Sequence, residues 1–307
     1  MHMTDSFGNN TTALALGNFD GLHEGHRQVL LDIAKQKENG LTPVLVRFSP
    51  HPAFVLHGKA PDRLVNDSVR KKILNTYGIR EIVLNFADIC DLSAEEFVTK
   101  VLIGQLHAAF VACGFNYRFG KNAGASAQDL QLLADQNGLQ CSVSPAVLYE
   151  NEPISATRIR ACLKKGCVEH ANAMLGRPFS YDFEVVGGDQ RGRLMGTPTI
   201  NQYFPDGFIV PKYGVYASFV ELDGVCLPAV TNIGMRPTFN GSSARSETWI
   251  MDFSGDLYGQ NVSVSLLKHL RDEVKFDNMD ALRDQILSDA KASRTAVESF
   301  LKKVEKI

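Results

Sequence analysis

Apolar positions follow two rhythms along this chain, and the change from one to the other divides it. Over residues 13 to about 147, short apolar runs alternate with segments whose apolar positions recur at helical spacing. The runs at 13–16, 43–48 (PVLVRF), 82–86 and 110–113 (FVAC) predict strands. Residues 24–37 and 93–106 predict helices, with Ser93 as a cap and Glu96 placed to complete a capping box. Strands alternating with helices imply βαβ units and a parallel sheet, whose ligands bind at the carboxyl ends of the strands. Three polar segments marked by glycine or proline follow strands: 17–26 (GNFDGLHEGH), 49–52 (SPHP) and 114–120 (GFNYRFG). A further helix is expected from ISATRIR, 154–160, to about Lys165.

From about Tyr181 to Leu267 no amphipathic helix is expected. Strands are predicted at 183–186, 214–222, 225–229 and 262–267, and Asp223-Gly224 between two of them signals a hairpin. Short, evenly spaced strands predict a small antiparallel β-barrel. Residues 175–180 (LGRPFS) read as the linker, which divides the chain into domains 1–176 and 177–307. A closing helix with Asn278 as its cap carries Leu282, Ile286, Ala290, Val297, Phe300, Leu301 and Val304 toward the barrel.

A length of 307 residues agrees with two domains. With 44% hydrophobic and 21% charged residues, packed cores are expected. The net charge of −2 argues against a large basic surface for nucleic acid. Six cysteines form no CxxC pair and no zinc pattern; buried free thiols in a reducing compartment are expected. No apolar run reaches membrane-spanning length, and the first ten residues lack the signal-peptide pattern. A cytoplasmic protein without a membrane partner is therefore the expectation.

The candidate chemistry concentrates in residues 17–26. A strand, a tight turn and a helix start bring free backbone N–H groups and the positive end of a helix dipole to one place. His23 and His26 add two imidazoles, and a phosphate chain suits such a site. The alternative is that His23 caps a loop and His26 sits on a helix surface. Ser155, Thr157, Arg158 and Arg160 mark a second anion-suited helix start, or simply an N-cap with solvated arginines. Residues 187–193 (GGDQRGR) are rich enough in glycine to bring amides against phosphates, yet no GK[ST] follows. Read alone, Glu247 is an outward-facing strand residue.

Taken together, the motifs point to a family. GNFDGLHEGH, GFNYRFG and ISATRIR resemble the N-terminal half of the bacterial bifunctional riboflavin kinase/FMN adenylyltransferases, or FAD synthetases. LGRPFS, GDQRGRLMGTPTIN, TNIGMRPTF, SETWIMDFSGDLYG and LRDEVKF resemble the C-terminal half, in family order over nearly the whole chain. The resemblance implies a nucleotidylyltransferase-like Rossmann domain followed by a β-barrel kinase domain. Riboflavin would be phosphorylated to FMN with ATP, and FMN adenylylated to FAD with release of pyrophosphate, both with Mg²⁺. It implies Glu247 as the kinase base, and His23 and His26 as the catalytic pair for adenylyl transfer. Gly17, Asn18, Phe19, Asp20, Gly25, Asn116, Ser155, Thr157 and Arg158 would bind nucleotide in the first domain. Gly188, Gly192, Thr199 and Asn201 would do so in the second, with Thr199 and Asn201 also holding the metal. Tyr213, Tyr216 and Trp249 are aromatics that stack on an isoalloxazine ring or belong to the core. Oligomeric state is not implied.

Three positions depart from the family pattern: Ala156, Thr197 and Ile200. Ala156 removes a hydroxyl, and a lost hydrogen bond to a charged group costs roughly 1.5–3 kcal/mol. Three rival readings follow: an enzyme with one silent half, a flavin- or nucleotide-binding regulator, and an adenylyltransferase for another phosphate ester. The regulator predicts loss of catalytic groups, yet His23, His26, Thr199, Asn201 and Glu247 are all present. The last leaves the C-terminal half unexplained.

Overall fold

The computed structural model describes residues 11–188, 197–238 and 241–304. Gly192 and the rest of 189–196 lie outside them. The chain forms two compact units. One comprises the residues up to Pro61 together with Arg70–Ser155; the other comprises Asp62–Val69 and the residues from Ala156 on. The second unit thus takes α6 (Ala156–Lys165) and α7 (Val168–Leu175) with the barrel strands.

The first unit is built on a five-stranded parallel sheet. Its strands are β1 (Thr12–Leu16), β2 (Thr42–Ser49), β3 (Arg80–Asn85), β4 (Ala108–Gly114) and β5 (Gln140–Ser144), in the order β3-β2-β1-β4-β5. Every residue of β1 is buried, as expected of a central strand covered on both faces. Leu14 and Leu16 pack on one side with Val44, Val46, Val111 and Leu102. Ala13 and Ala15 pack on the other with Val29, Leu30 and Ile33 of α1 (Glu24–Lys35). The strand order reverses between β1 and β4, so their carboxyl ends flank the crevice where such sheets bind ligands.

The smaller elements follow local chemistry. The Ser49–Pro50 peptide is cis, and the His51 ring accepts a hydrogen bond from the Ala53 amide at 3.1 Å to cap α2 (Pro52–His57). Helix α3 (Asp67–Tyr77) precedes β3. The expected capping box opens α4 (Ala94–Glu96): the Glu96 amide donates to Ser93 Oγ at 3.1 Å, and the Ser93 amide donates to Glu96 Oε2 at 3.0 Å. The helix then continues with wider π-type winding over Phe97–Gln105, which no periodicity revealed. Helix α5 (Ala127–Gln136) completes this face of the sheet.

The second unit is an antiparallel sheet in the order β6-β11-β8-β9-β10-β7. Its strands are β6 (Phe179–Glu184), β7 (Thr199–Tyr203), β8 (Gly214–Leu222), β9 (Val225–Thr238), β10 (Gly241–Ile250) and β11 (Asn261–Arg271). The two edges meet. The Val186 amide donates to the Asn201 carbonyl at 2.9 Å, and Gln202 Nε2 donates to the carbonyls of Phe183 and Val262 at 2.6 and 2.8 Å. Asp223 and Gly224, with φ of 50° and 77°, make the expected β8–β9 hairpin. Helix α8 (Met279–Val304) packs on the barrel through Val297 and Phe300, whose ring stacks 5.4 Å from Phe219. Asn278 caps it, accepting from the Ala281 amide at 2.8 Å.

Four expectations are corrected. Residues 175–180 are not a free linker: Leu175 ends α7, Gly176 closes it at φ 70°, and Phe179 already begins β6. The strand expected at 183–186 runs instead over Phe179–Glu184, because Phe179, Tyr181 and Phe183 join Phe204 and Phe208 in one aromatic cluster. The strand expected to end at 229 continues to Thr238. All six thiols are free, but only Cys113 is buried, and Cys167 is exposed. No helix among the described residues is long and apolar enough to cross a membrane.

Candidate functional sites

The turn after β1 is shaped by left-handed backbone. Phe19 (φ 45°), Gly21 (φ 79°) and Leu22 (φ 45°) coil the chain tightly before α1. Two of these are not glycine, and such conformations persist where packing enforces them. The enforcing group here is the Phe19 ring, 1% exposed and sunk among Ala13, Ala15 and Leu30. The Phe19 ring therefore belongs to the core, and only its backbone is left to line the turn. At Gly17 a Cβ would stand 3.2 Å from that ring, so a side chain there would press on Phe19.

His23 is the extended residue before α1, is buried, and receives the His26 amide on its carbonyl at 2.7 Å. The two imidazoles stack with centroids 3.6 Å apart and planes 14° from parallel; the Phe19 ring lies 4.9 Å from His26. Burial first, then the neighbouring His23 and Arg70, push the His26 pKa well below 6.5. His26 is thus a neutral imidazole at pH 7, able to donate one N–H without adding a cation. Gly25 lets the pair close up: a Cβ there would lie 3.0 Å from His23 Cε1.

The other expected residues of this domain fall into three positions. After β4, the Tyr117 amide donates to the Gly114 carbonyl at 3.0 Å, forming a turn that carries Asn116 exposed at the same sheet edge. Because Leu16 pairs with Cys113, this turn and the 17–26 loop leave neighbouring strands at the crevice. Ser155 follows Ile154, whose carbonyl lies 3.6 Å from the point a Gly25 Cβ would occupy, so Ser155 adjoins the start of α1. Thr157 and Arg158 stand in the first turn of α6, in the second unit.

On the barrel, register assembles the second site. Asn201 pairs with Glu247, and Glu247 pairs on its other side with Asn232. Thr199 pairs with Trp249. Side chains alternate along strands, so Thr199, Asn201, Glu247, Trp249 and Asn232 share one face. Ile200 and Gln202 take the other, where the larger Ile200 displaces none of the site residues. Asn201 is buried, and a Cβ on Gly188 would collide with its carboxamide. Gly188 thus permits a close approach of backbone to Asn201. Glu247 is partly exposed and ion-paired with the buried Arg245. Asn232 Nδ2 donates to Glu273 Oε1 at 3.3 Å. Of the aromatic candidates, Tyr216 is fully buried and donates its hydroxyl to the Lys212 carbonyl, so it belongs to the core.

Three residues escaped the sequence reading. Arg70 donates Nη1 to the Phe19 carbonyl at 3.2 Å from a helix far away in sequence. Arg245 and Asn232 reach Glu247 by strand position and cross-strand register. Asn232 lies within the quoted TNIGMRPTF motif, which was the available signal; Arg70 and Arg245 carried none.

Imidazoles at a parallel-sheet switch point, and a carboxylate between asparagines on a barrel, suit an enzyme of nucleotidylyl and phosphoryl transfer. Comparison with known proteins narrows this class. Residues 6–158 match the FAD synthetase family model and residues 175–297 the riboflavin kinase model. Bifunctional riboflavin kinase/FMN adenylyltransferases from Listeria monocytogenes and Bacillus subtilis are 32% and 33% identical to this chain. The alignments cover 98% of the chain and 96% of the Listeria protein, and 91% and 90% for the Bacillus protein. A Streptococcus pneumoniae crystal structure titled a macrolide-efflux protein superposes with a TM-score of 0.85 at 33% identity, over 95% of this chain and 96% of that one. The chain belongs to the bifunctional riboflavin kinase/FMN adenylyltransferase family. It phosphorylates riboflavin to FMN with ATP and adenylylates FMN to FAD.

Proposed function

We propose that FMN forms at the Glu247 face of the barrel and FAD at the His23–His26 crevice, with functional domains 1–176 and 177–307. The matched ranges 6–158 and 175–297 support that division. The observation that carries the kinase assignment is the pairing of Asn201 with Glu247, which sets a carboxylate beside a neutral oxygen ligand.

At the kinase site, a primary alcohol needs a base at neutral pH. Glu247 takes the proton of the terminal ribityl hydroxyl as its oxygen attacks the γ-phosphorus of ATP; the bond to the β-phosphate oxygen breaks and ADP leaves. Arg245 occupies part of the carboxylate and holds it in place. Thr199 and Asn201 supply neutral oxygens that suit Mg²⁺, and the close approach of Gly188 to Asn201 fits a phosphate-bearing ligand lying against backbone amides. Mg²⁺ bound there would neutralise charge on the transferring phosphates. Trp249, beside Thr199 and on the face of Glu247, is the aromatic best placed for the flavin ring.

At the crevice, the FMN phosphate attacks the α-phosphorus of ATP in line and pyrophosphate departs. No covalent enzyme intermediate is needed, because the phosphate is already a nucleophile. The protein aligns two mutually repelling anions and stabilises the leaving group. His23, His26 and the amides opening α1 bind phosphate oxygens, with Gly17, Asn18, Phe19, Asp20 and Gly25 shaping the loop. Asn116 supplies a side-chain contact from β4. For Ser155, Thr157 and Arg158 the support is the start of α6, whose first amides suit an anion.

The reading includes a cytoplasmic enzyme acting on riboflavin, FMN and ATP rather than on nucleic acid or membranes. Six free thiols and a net charge of −2 support it.

The test is a double dissociation. Glu247→Gln should abolish FMN formation and leave conversion of FMN to FAD nearly intact, whereas His26→Ala should do the reverse. Parallel loss of both activities in either variant contradicts the two-site assignment.

A further inference from the structure

Arg70 is 4% exposed, and its guanidinium serves two neighbours. Nη1 donates to the Phe19 carbonyl at 3.2 Å, in the middle of the left-handed turn that leads to His23. Nε lies 3.7 Å from Glu81 Oε1, which Arg47 Nε also approaches at 2.9 Å. Glu81 pairs with Leu45 and Arg47 with Val83, so the two side chains sit diagonally on one face of the β2–β3 pair. The sheet therefore anchors Arg70, and Arg70 in turn anchors the loop. A charged side chain is not needed merely to fill this position, since burying a cation is costly unless it is paired. Its charge also acts on His26.

We propose that Arg70 is a positioning residue for adenylyl transfer, fixing the 17–26 loop, and with it His23 and His26, through the Phe19 carbonyl. The proposal rests on the assignment of His26 to this reaction. Three consequences follow. The Phe19 carbonyl, tied to Arg70, cannot turn toward the anions that the loop binds. The loop keeps the amides before α1 directed at the crevice. The imidazole of His26 stays neutral beside a fixed cation, so the phosphates meet an N–H donor instead of a proton that exchanges near pH 7. The ionisable groups acting on His26 are His23 on its own segment and Arg70 on α3.

The test uses the full chain with Arg70→Met and Arg70→Lys, following FMN and ATP to FAD across pH 5–9 (a range of about four units centred near neutrality). Thermal melts of each variant, with the cooperative transition of the wild type, report that the variants are folded. Loss of a hydrogen bond from a charged donor should lower kcat by roughly 10- to 100-fold in Arg70→Met. The acid limb of the kcat/KM profile should move to higher pH, because removing a positive neighbour raises the His26 pKa. Arg70→Lys should return the limb toward its original position without restoring kcat, since an ammonium keeps the charge and lacks the fork. Glu81→Gln, one step further from the loop, should give a smaller loss in the same direction. A rate within about twofold of wild type in Arg70→Met, or a loss equal at every pH with the limb unmoved, overturns the proposal. His26→Gln separates the two possible failures. If it keeps the wild-type rate and limb, the role of His26 falls; if it loses them while Arg70→Met does not, the role of Arg70 falls.

Discussion

Gly25→Ala separates site geometry from fold stability. The added Cβ would stand 3.0 Å from His23 Cε1 and 3.1 Å from Nδ1. Unstrained carbon contacts begin near 3.5 Å, so the His23 ring must retreat by about 0.5 Å. It has little room to do so: His23 is buried, and the His26 ring lies stacked 3.6 Å away on it. A misplacement of about 1 Å at a reacting centre costs on the order of 100-fold, so half that shift predicts roughly a tenfold loss, about 1.4 kcal/mol. The backbone effect opposes this in sign, because alanine in place of a helical glycine stabilises by about 0.5–1 kcal/mol. The variant should therefore melt within a few degrees of wild type while FAD synthesis from FMN falls about tenfold. Riboflavin phosphorylation in the same sample should be unchanged. A folded Gly25→Ala protein that makes FAD at the wild-type rate would show that the position of His23 is not used in the reaction.

Two further outcomes follow from the same structure. The His26 pKa is depressed below 6.5 in the folded protein, so below that pH the unfolded chain binds a proton that the native one does not. Stability should then fall as pH drops through about 6.5 toward the folded pKa, and thermal melts of His26→Gln should lack that component. Thr231 Oγ1 lies 2.8 Å from Ser218 Oγ and 2.9 Å from Thr248 Oγ1, all three residues being wholly buried. Thr231→Val should cost about 1–3 kcal/mol by stranding those hydroxyls, and Thr248→Val added to it should cost less than the sum; strict additivity in denaturant titration would refute the chain of hydroxyls.

What was legible in the sequence was local. The turn after β1, the Ser93 capping box, the Asp223-Gly224 hairpin and the Asn278 cap each rest on a few adjacent residues whose chemistry admits one geometry. Boundaries set by packing were not legible. Phe179 joins β6 because of a ring distant in sequence, at Phe208, while Tyr181 and Phe183 meet Phe204. Nothing in the pattern announces the short helix α7, and its last residue, Leu175, opens the stretch expected to be linker. The site divides in the same way. His23 and His26 announce themselves by spacing, whereas Arg70 sits in VRKK, a run that carries no motif. Only the fold shows that its guanidinium turns inward to Phe19. Glu247 was recognised by resemblance, but its neighbours Asn232 and Asn201 are set beside it by register, which no single strand encodes.

The most direct measurement is a chromatographic time course of riboflavin with ATP and Mg²⁺. FMN should rise first and then decline as FAD accumulates, with one enzyme catalysing both steps in that order. Accumulation of FMN without FAD would contradict an active crevice, with Ala156 the first residue to restore to serine. Unchanged riboflavin would contradict an active barrel.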